Sequence, residues 1–159
     1  TLLLLARGEE VERIHEIRCL NDLVPGFVEQ LVPMAADRGL DLSIDEEAQL
    51  WVKAPSRVIQ IILTNLLRNA INYTQQGSVV VRIRENTISV IDTGIGMSPE
   101  ELQHAFEPFY RGERSRASSM GHGLGLSIVR RLVHQFDWPI HVQSNVGKGT
   151  EVTIEFFEG

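Results

Sequence analysis

Val79-Val80-Val81-Arg82-Ile83-Arg84-Glu85-Asn86-Thr87-Ile88-Ser89-Val90-Ile91, running on into Asp92-Thr93-Gly94-Ile95-Gly96, is the stretch whose reading decides the fold. Two β-branched runs, Val79–Arg84 and Thr87–Ile91, flank the dipeptide Glu85-Asn86. That pattern predicts antiparallel strands joined by a short hairpin. The second strand reads as buried and ends on an aspartate followed by a glycine-rich turn. A carboxylate placed there can lie at the bottom of a pocket. An ordinary aspartate turn at a strand end has the same local sequence, so this motif does not stand alone.

Upstream, Pro55 marks the start of a long apolar helix reaching Tyr73, with Ala54 or Ser56 near its cap. Ile59, Ile62, Leu63, Leu66, Leu67 and Ala70 form its packing face, and Asn65, Asn69 and Tyr73, four apart, line one stripe beside it. Further upstream, Leu23–Arg38 has helical spacing and Gly39 is its expected stop. Leu40–Ile44 alternates as a strand, with Leu50-Trp51-Val52 as its expected partner, and residues 2–20 read as helical. Downstream, Ser98-Pro99-Glu100-Glu101 predicts a short capped helix. Arg111–Gly121 reads as a loop, Gly123–Phe136 as a helix, and Ile140–Ser144 and Glu151–Phe157 as two strands around a Gly147–Gly149 turn. Helices followed by largely antiparallel strands predict an α+β domain with helices on one face of a sheet.

The 159 residues, 43% hydrophobic, suffice for one core. A net charge of -6 and the lack of a basic stripe argue against nucleic-acid binding. Cys19 is the only cysteine, which excludes an internal disulfide and a cysteine-based structural zinc site. Leu2–Leu5 is far too short to span a bilayer and lacks the flanks of a signal peptide. Thr1 opens the chain in the middle of a helical reading, so a piece of something longer is expected.

Several polar residues sit where packing does not call for them. Asparagine is a poor helix former, yet Asn65, Asn69 and Asn72 share one helix, and a solvated face is the plain explanation. Gly94 and Gly96 permit close backbone approach, while Ile95 and Met97 offer apolar surface to a flat ring. Gly121-His122-Gly123-Leu124-Gly125-Leu126 leads into a helix whose first amides can face an anion. Its spacing differs from the Walker phosphate loop and it lacks the strand-to-helix setting of a dinucleotide fold.

Asn65–Ala70, Asp92–Gly96, Phe106–Arg111, Gly121–Leu126 and Gly147–Thr150, in that order, resemble the nucleotide-binding domain of sensor histidine kinases, with the Bergerat-type ATP fold. The resemblance covers roughly residues 22–159, with 1–21 similar to the end of a dimerisation helix and its linker. It implies a two-layer α/β sandwich with a mixed, mostly antiparallel sheet covered on one face by helices. Asp92 would bind the adenine 6-amino group, Asn69 would hold Mg²⁺, and Tyr73 would pack beside adenine. Gly121, Gly123 and Gly125 would cradle the phosphates of ATP with His122, Leu124 and Leu126 in the same box. Arg111, following Phe109 and Tyr110, would reach the terminal phosphate; Arg114 and Arg116 also read as a solvated basic loop. Thr150 would place a hydroxyl near adenine, although a plain hairpin turn has the same sequence.

Two positions depart from the pattern. Asn72 stands where the family usually has lysine or arginine, which weakens the expectation of tight ATP binding. Asn65 occupies the place of the general-base glutamate in gyrase and in the related serine kinases that inhibit sigma factors, and an amide cannot take that proton. Transfer to a histidine is therefore expected, with a serine or threonine kinase of the same fold, or a non-catalytic nucleotide-binding module, as alternatives. His15-Glu16-Ile17-Arg18 copies the phosphoacceptor box superficially, but Cys19-Leu20 replaces its Thr-Pro, so the acceptor is expected on a separate dimerisation domain. The same resemblance implies a homodimeric parent in the bacterial inner membrane, this domain in the cytoplasm, and a cognate response regulator.

Overall fold

The computed structural model describes residues 17–104 and 125–156. Within them the elements run β1 (Ile17–Cys19), α1 (Leu20–Glu29), α2 (Val32–Asp37), β2 (Asp41–Glu46), β3 (Trp51–Lys53) and α3 (Ser56–Asn72). Then come β4 (Ser78–Arg84), β5 (Thr87–Asp92), α4 (Pro99–Gln103), α5 (Gly125–Gln135), β6 (Ile140–Asn145) and β7 (Gly149–Glu155).

The main sheet has the order β2-β4-β5-β7-β6. Only β2 and β4 pair in parallel; the other neighbours are antiparallel. The expected hairpin forms as read, with Arg84 opposite Thr87 and Asn86 taking the left-handed conformation at φ 67°. Alternation then sorts the strands: Val79, Val81, Ile83, Ile88, Val90, Val152 and Ile154 are all buried. On that face lie α1, α3 and α5, whose buried stripes (Leu20, Val24 and Val28; Ile62, Leu66 and Leu67; Val129, Leu132 and Val133) join the same core. Trp138 closes the lower end, stacked on Phe136 with ring centroids 4.7 Å apart and edge-on to Phe156 at 4.8 Å. The architecture is the α+β two-layer sandwich expected from the sequence.

Three local expectations fail, each for a reason in the chain. The single helix over Leu23–Arg38 is two helices, because Pro33 has no N–H to give Glu29 and its ring would strike that carbonyl. Gly39 does terminate the second, at φ 69°. The helical reading of residues 2–20 gives way at Ile17–Cys19 to a strand. Leu50-Trp51-Val52 does not pair with β2 either. Trp51–Lys53 pairs antiparallel with Ile17–Cys19 in a separate two-stranded sheet. Asn21 makes that turn: its Nδ2 donates to Glu46 and to the Ala48 carbonyl (2.8 and 3.0 Å), and its Oδ1 accepts from Leu50 N (2.9 Å).

The helix at Ser98 carries a full capping box. Ser98 Oγ accepts from Glu101 N at 3.1 Å, and the Glu101 carboxylate accepts from Ser98 N at 3.0 Å. We expect Ser98→Ala to destabilise the domain by about 1 kcal/mol in chemical denaturation, without altering the denaturant slope.

Candidate functional site

Asp92, the last residue of β5, lies opposite Thr150 on β7, which in turn lies opposite Ser144 on β6. Cross-strand partners share a face, so the three side chains form a row on the helix-covered side of the sheet. Asp92 is 7% exposed. Its Oδ1 accepts from Gly94 N at 2.9 Å and from Thr150 N at 3.1 Å. Those two bonds hold the carboxylate in one orientation and serve one oxygen only. Burial pushes the Asp92 carboxyl up to about 6, against the opposing pull of the Gly94 and Thr150 amides. An acid so displaced marks a functional-site candidate when it sits in a cleft.

It does sit in one. Between α3 and the sheet is a cleft of about 380 Å³, part of it open to solvent. Asn69 and Tyr73 project into it from α3, Met97 from the loop after β5, and Leu126 from the first turn of α5. Val90, Val142 and Val152 form an apolar floor with Asp92 and Thr150 at its polar edge. Apolar walls with a few fixed polar groups at one edge suit a flat, partly polar ring.

The loop from Gly94 to Met97 is clamped between two elements. Ile95 N donates to the Tyr73 carbonyl at 3.0 Å, and Gly147 N donates to the Ile95 carbonyl at 2.7 Å. A Cβ on Gly94 would overlap the Tyr73 carbonyl, and one on Gly96, whose φ is +70°, would overlap the Asn145 carbonyl. Both glycines are thus required where backbone meets backbone.

Of the residues singled out by sequence, Asn69, Tyr73, Asp92, Met97, Leu126 and Thr150 come together at the cleft. Gly94, Ile95 and Gly96 lie in the loop between the lining residues Asp92 and Met97 and do not line the cleft themselves. Asn65 lies a turn away and gives its Nδ2 hydrogen bond to the Ile61 carbonyl of its own helix, at 2.7 Å. Asn72 is 6% exposed and does not line the cleft; its carbonyl accepts from Arg38 Nη2 at 3.2 Å. Gly125 opens α5. Phe106, Phe109, Tyr110, Arg111, Arg114, Arg116, Gly121, His122, Gly123 and Leu124 lie outside the described residues.

Ser144 was missed. Its Oγ accepts from Met97 N at 2.7 Å, lies 2.8 Å from Thr150 Oγ1, and donates to the Gly149 carbonyl at 3.1 Å. The available signal was its register: Ile140 and Val142 point inward, and Ser144 is the next inward position of the same strand.

Residues 54–158, more than half of the chain, match the family described as histidine kinase-, DNA gyrase B- and HSP90-like ATPase. The chain belongs to this family. It is 35% identical, over 97% of its length, to the sensor histidine kinase RppB of Synechocystis, and that match covers 36% of RppB. Among solved structures it resembles full-length ShkA in complex with AMPPNP, with 26% identity, a TM-score of 0.76, and coverage of 89% of this chain and 31% of that one. It has the fold of the mycobacterial sensor histidine kinase MprB, with a TM-score of 0.78 at 24% identity over 89% of this chain and 97% of that one. The chain spans about a quarter to a third of the length of the curated relatives it matches.

Proposed function

We propose that this chain is the catalytic domain of a two-component sensor histidine kinase, binding Mg·ATP and passing the γ-phosphoryl group to a histidine on a separate dimerisation domain. The observation that carries the reading is the Asp92 carboxylate, buried at the cleft edge with Oδ1 tied to two amides. The oxygen left over is a fixed acceptor beside an apolar floor. Adenine offers a 6-amino donor on a flat ring; guanine offers a carbonyl at the same place. Tyr73 and Met97 line the walls where such a ring would lie.

Asn69 faces the cleft on the α3 side. Among the described residues no cluster of three acidic, histidine or cysteine side chains exists to hold a metal by itself. That donor set fits a Mg²⁺ ion carried in on the phosphates, with Asn69 supplying one neutral oxygen ligand. When bound, the ion would neutralise charge on the transferring phosphoryl group. The chain's own part is positioning, because phosphoryl transfer needs little covalent help from the protein. Asn65, bonded to its own helix, offers no base for activating water, which supports a histidine acceptor. Arg111 and the glycines at 121, 123 and 125 we assign to the phosphates on sequence grounds.

The parent we infer is a homodimer in the bacterial inner membrane that signals to a response regulator, with this domain in the cytoplasm. Among the described residues no helix is long and apolar enough to cross a membrane.

Calorimetry with ATP, with and without Mg²⁺, tests the reading. The wild-type chain should bind ATP saturably and more tightly with the ion. Asn69→Ala should lose roughly tenfold or more of the Mg²⁺-dependent gain and little of the metal-free affinity. An unchanged Mg²⁺ response in Asn69→Ala would remove the metal assignment.

A further inference from the structure

We infer that Ser144 is a specificity-determining residue that acts through Thr150, fixing the polarity of the Thr150 hydroxyl at the edge of the cleft; this rests on the adenine reading above. A serine hydroxyl has one proton to give and two lone pairs to receive. Ser144 Oγ has three polar neighbours: Met97 N at 2.7 Å, Thr150 Oγ1 at 2.8 Å and the Gly149 carbonyl at 3.1 Å. Met97 N can only donate and the Gly149 carbonyl can only accept. All three contacts are satisfied together in one arrangement alone: Ser144 gives its proton to Gly149 O, and Thr150 gives its proton to Ser144.

In that arrangement the Thr150 proton is turned toward β6, and the lone pairs of Thr150 Oγ1 are what remains for the cleft, which Thr150 lines. Asp92 Oδ1 is already filled by Gly94 N and Thr150 N, so Asp92 also shows the cleft an acceptor. Two neighbouring acceptors favour an exocyclic amino group, with two protons, and disfavour a carbonyl oxygen at the same position. Mispaired polar groups in a desolvated site discriminate strongly. Removing the Ser144 hydroxyl frees the Thr150 proton to swing into the cleft and donate to a carbonyl. Ser144 touches no ligand in this scheme; it sets which groups Thr150 accepts.

The test compares affinities for ATP and for inosine triphosphate, which carries a carbonyl in place of the 6-amino group and a proton on the adjacent N1, in the full chain by calorimetry. Wild type should prefer ATP, and Ser144→Ala should narrow the ATP-to-ITP ratio by about tenfold. Ser144→Thr restores a hydroxyl at the same register and should recover the ratio. A merely structural serine would weaken both nucleotides alike, so a ratio unchanged within about twofold in Ser144→Ala overturns the inference while leaving the adenine reading intact. A wild-type chain that binds neither nucleotide overturns both. If Ser144→Ala does not melt cooperatively, Thr150→Val carries the test. It keeps the shape, strips the acceptor and should narrow the ratio likewise; an unchanged ratio there also overturns the proposal.

Discussion

Asp92→Asn is expected to abolish ATP binding, by roughly a hundredfold or more, and at the same time to make the unliganded domain more stable at neutral pH. Both effects come from one buried carboxylate. Its folded-state pKa is about 6 against an ordinary 3.8, so the folded chain holds the proton more tightly than the unfolded one. The stability Asp92 contributes is therefore fully present below the unfolded value, near 3.8, and is lost as pH rises through about 6. At about 1.36 kcal/mol per pH unit, the loss is on the order of 3 kcal/mol at pH 7. Asparagine keeps an oxygen for Gly94 N and Thr150 N and carries no charge to bury. Its melting temperature at pH 7.5 should exceed wild type by roughly 3–8 °C, with the gain vanishing near pH 4. For the ligand the sign reverses. An amide nitrogen in place of the free oxygen meets the adenine amino group donor to donor. In wild type, ATP affinity should weaken as pH falls below about 6, where the carboxylate acceptor becomes protonated. Wild-type affinity in Asp92→Asn, or a lower melting temperature, would contradict this account.

Gly149→Ala is expected to cost roughly 3 kcal/mol or more and to lower the melting temperature by roughly 8 °C or more. Gly149 has φ +98°, where an L side chain is strained, and its Cβ would overlap the Asp92 carbonyl oxygen and lie 2.9 Å from the carbonyl carbon. Neither atom can move aside, since both belong to the end of β5. Gly147→Ala is the matched control. It shares the turn and a left-handed φ of +80°, but nothing lies within 4 Å of its Cβ. Only the backbone preference remains, about 1–2 kcal/mol. Equal losses at the two glycines would show that backbone strain, not the meeting of β7 with Asp92, limits this turn. Because Gly149 packs on Asp92 itself, Gly149→Ala should also lose ATP affinity before it unfolds.

What the chain declared in advance follows from the range of the forces involved. The β4–β5 hairpin, the Ser98 capping box, the Gly39 stop and the α3 apolar face are local and were legible in short windows. The pairing of Ile17–Cys19 with Trp51–Lys53 joins residues more than thirty positions apart through Asn21, whose hydrogen bonds no local pattern announces. Pro33 was legible in principle, since a proline after a long apolar run breaks the helix on its N-terminal side. The cleft was legible where residue type and spacing coincide: Asn69 and Tyr73 on one stripe, Asp92 at a strand end, Thr150 after the glycines. Asn72, one turn on from Asn69, is buried and does not line the cleft, which a count of helical positions alone could not tell. Ser144 lacked any motif of its own. Its place depends on the register of three strands, which exists only once the sheet is assembled.

The most direct measurement supplies this chain with ATP labelled at the γ-phosphate and a separate helical domain bearing the phosphoacceptor histidine. The expected result is acid-labile label on that histidine, dependent on Mg²⁺ and absent with Asp92→Asn. Acid-stable label on serine or threonine, or ATP bound with no transfer to the histidine, would contradict the account.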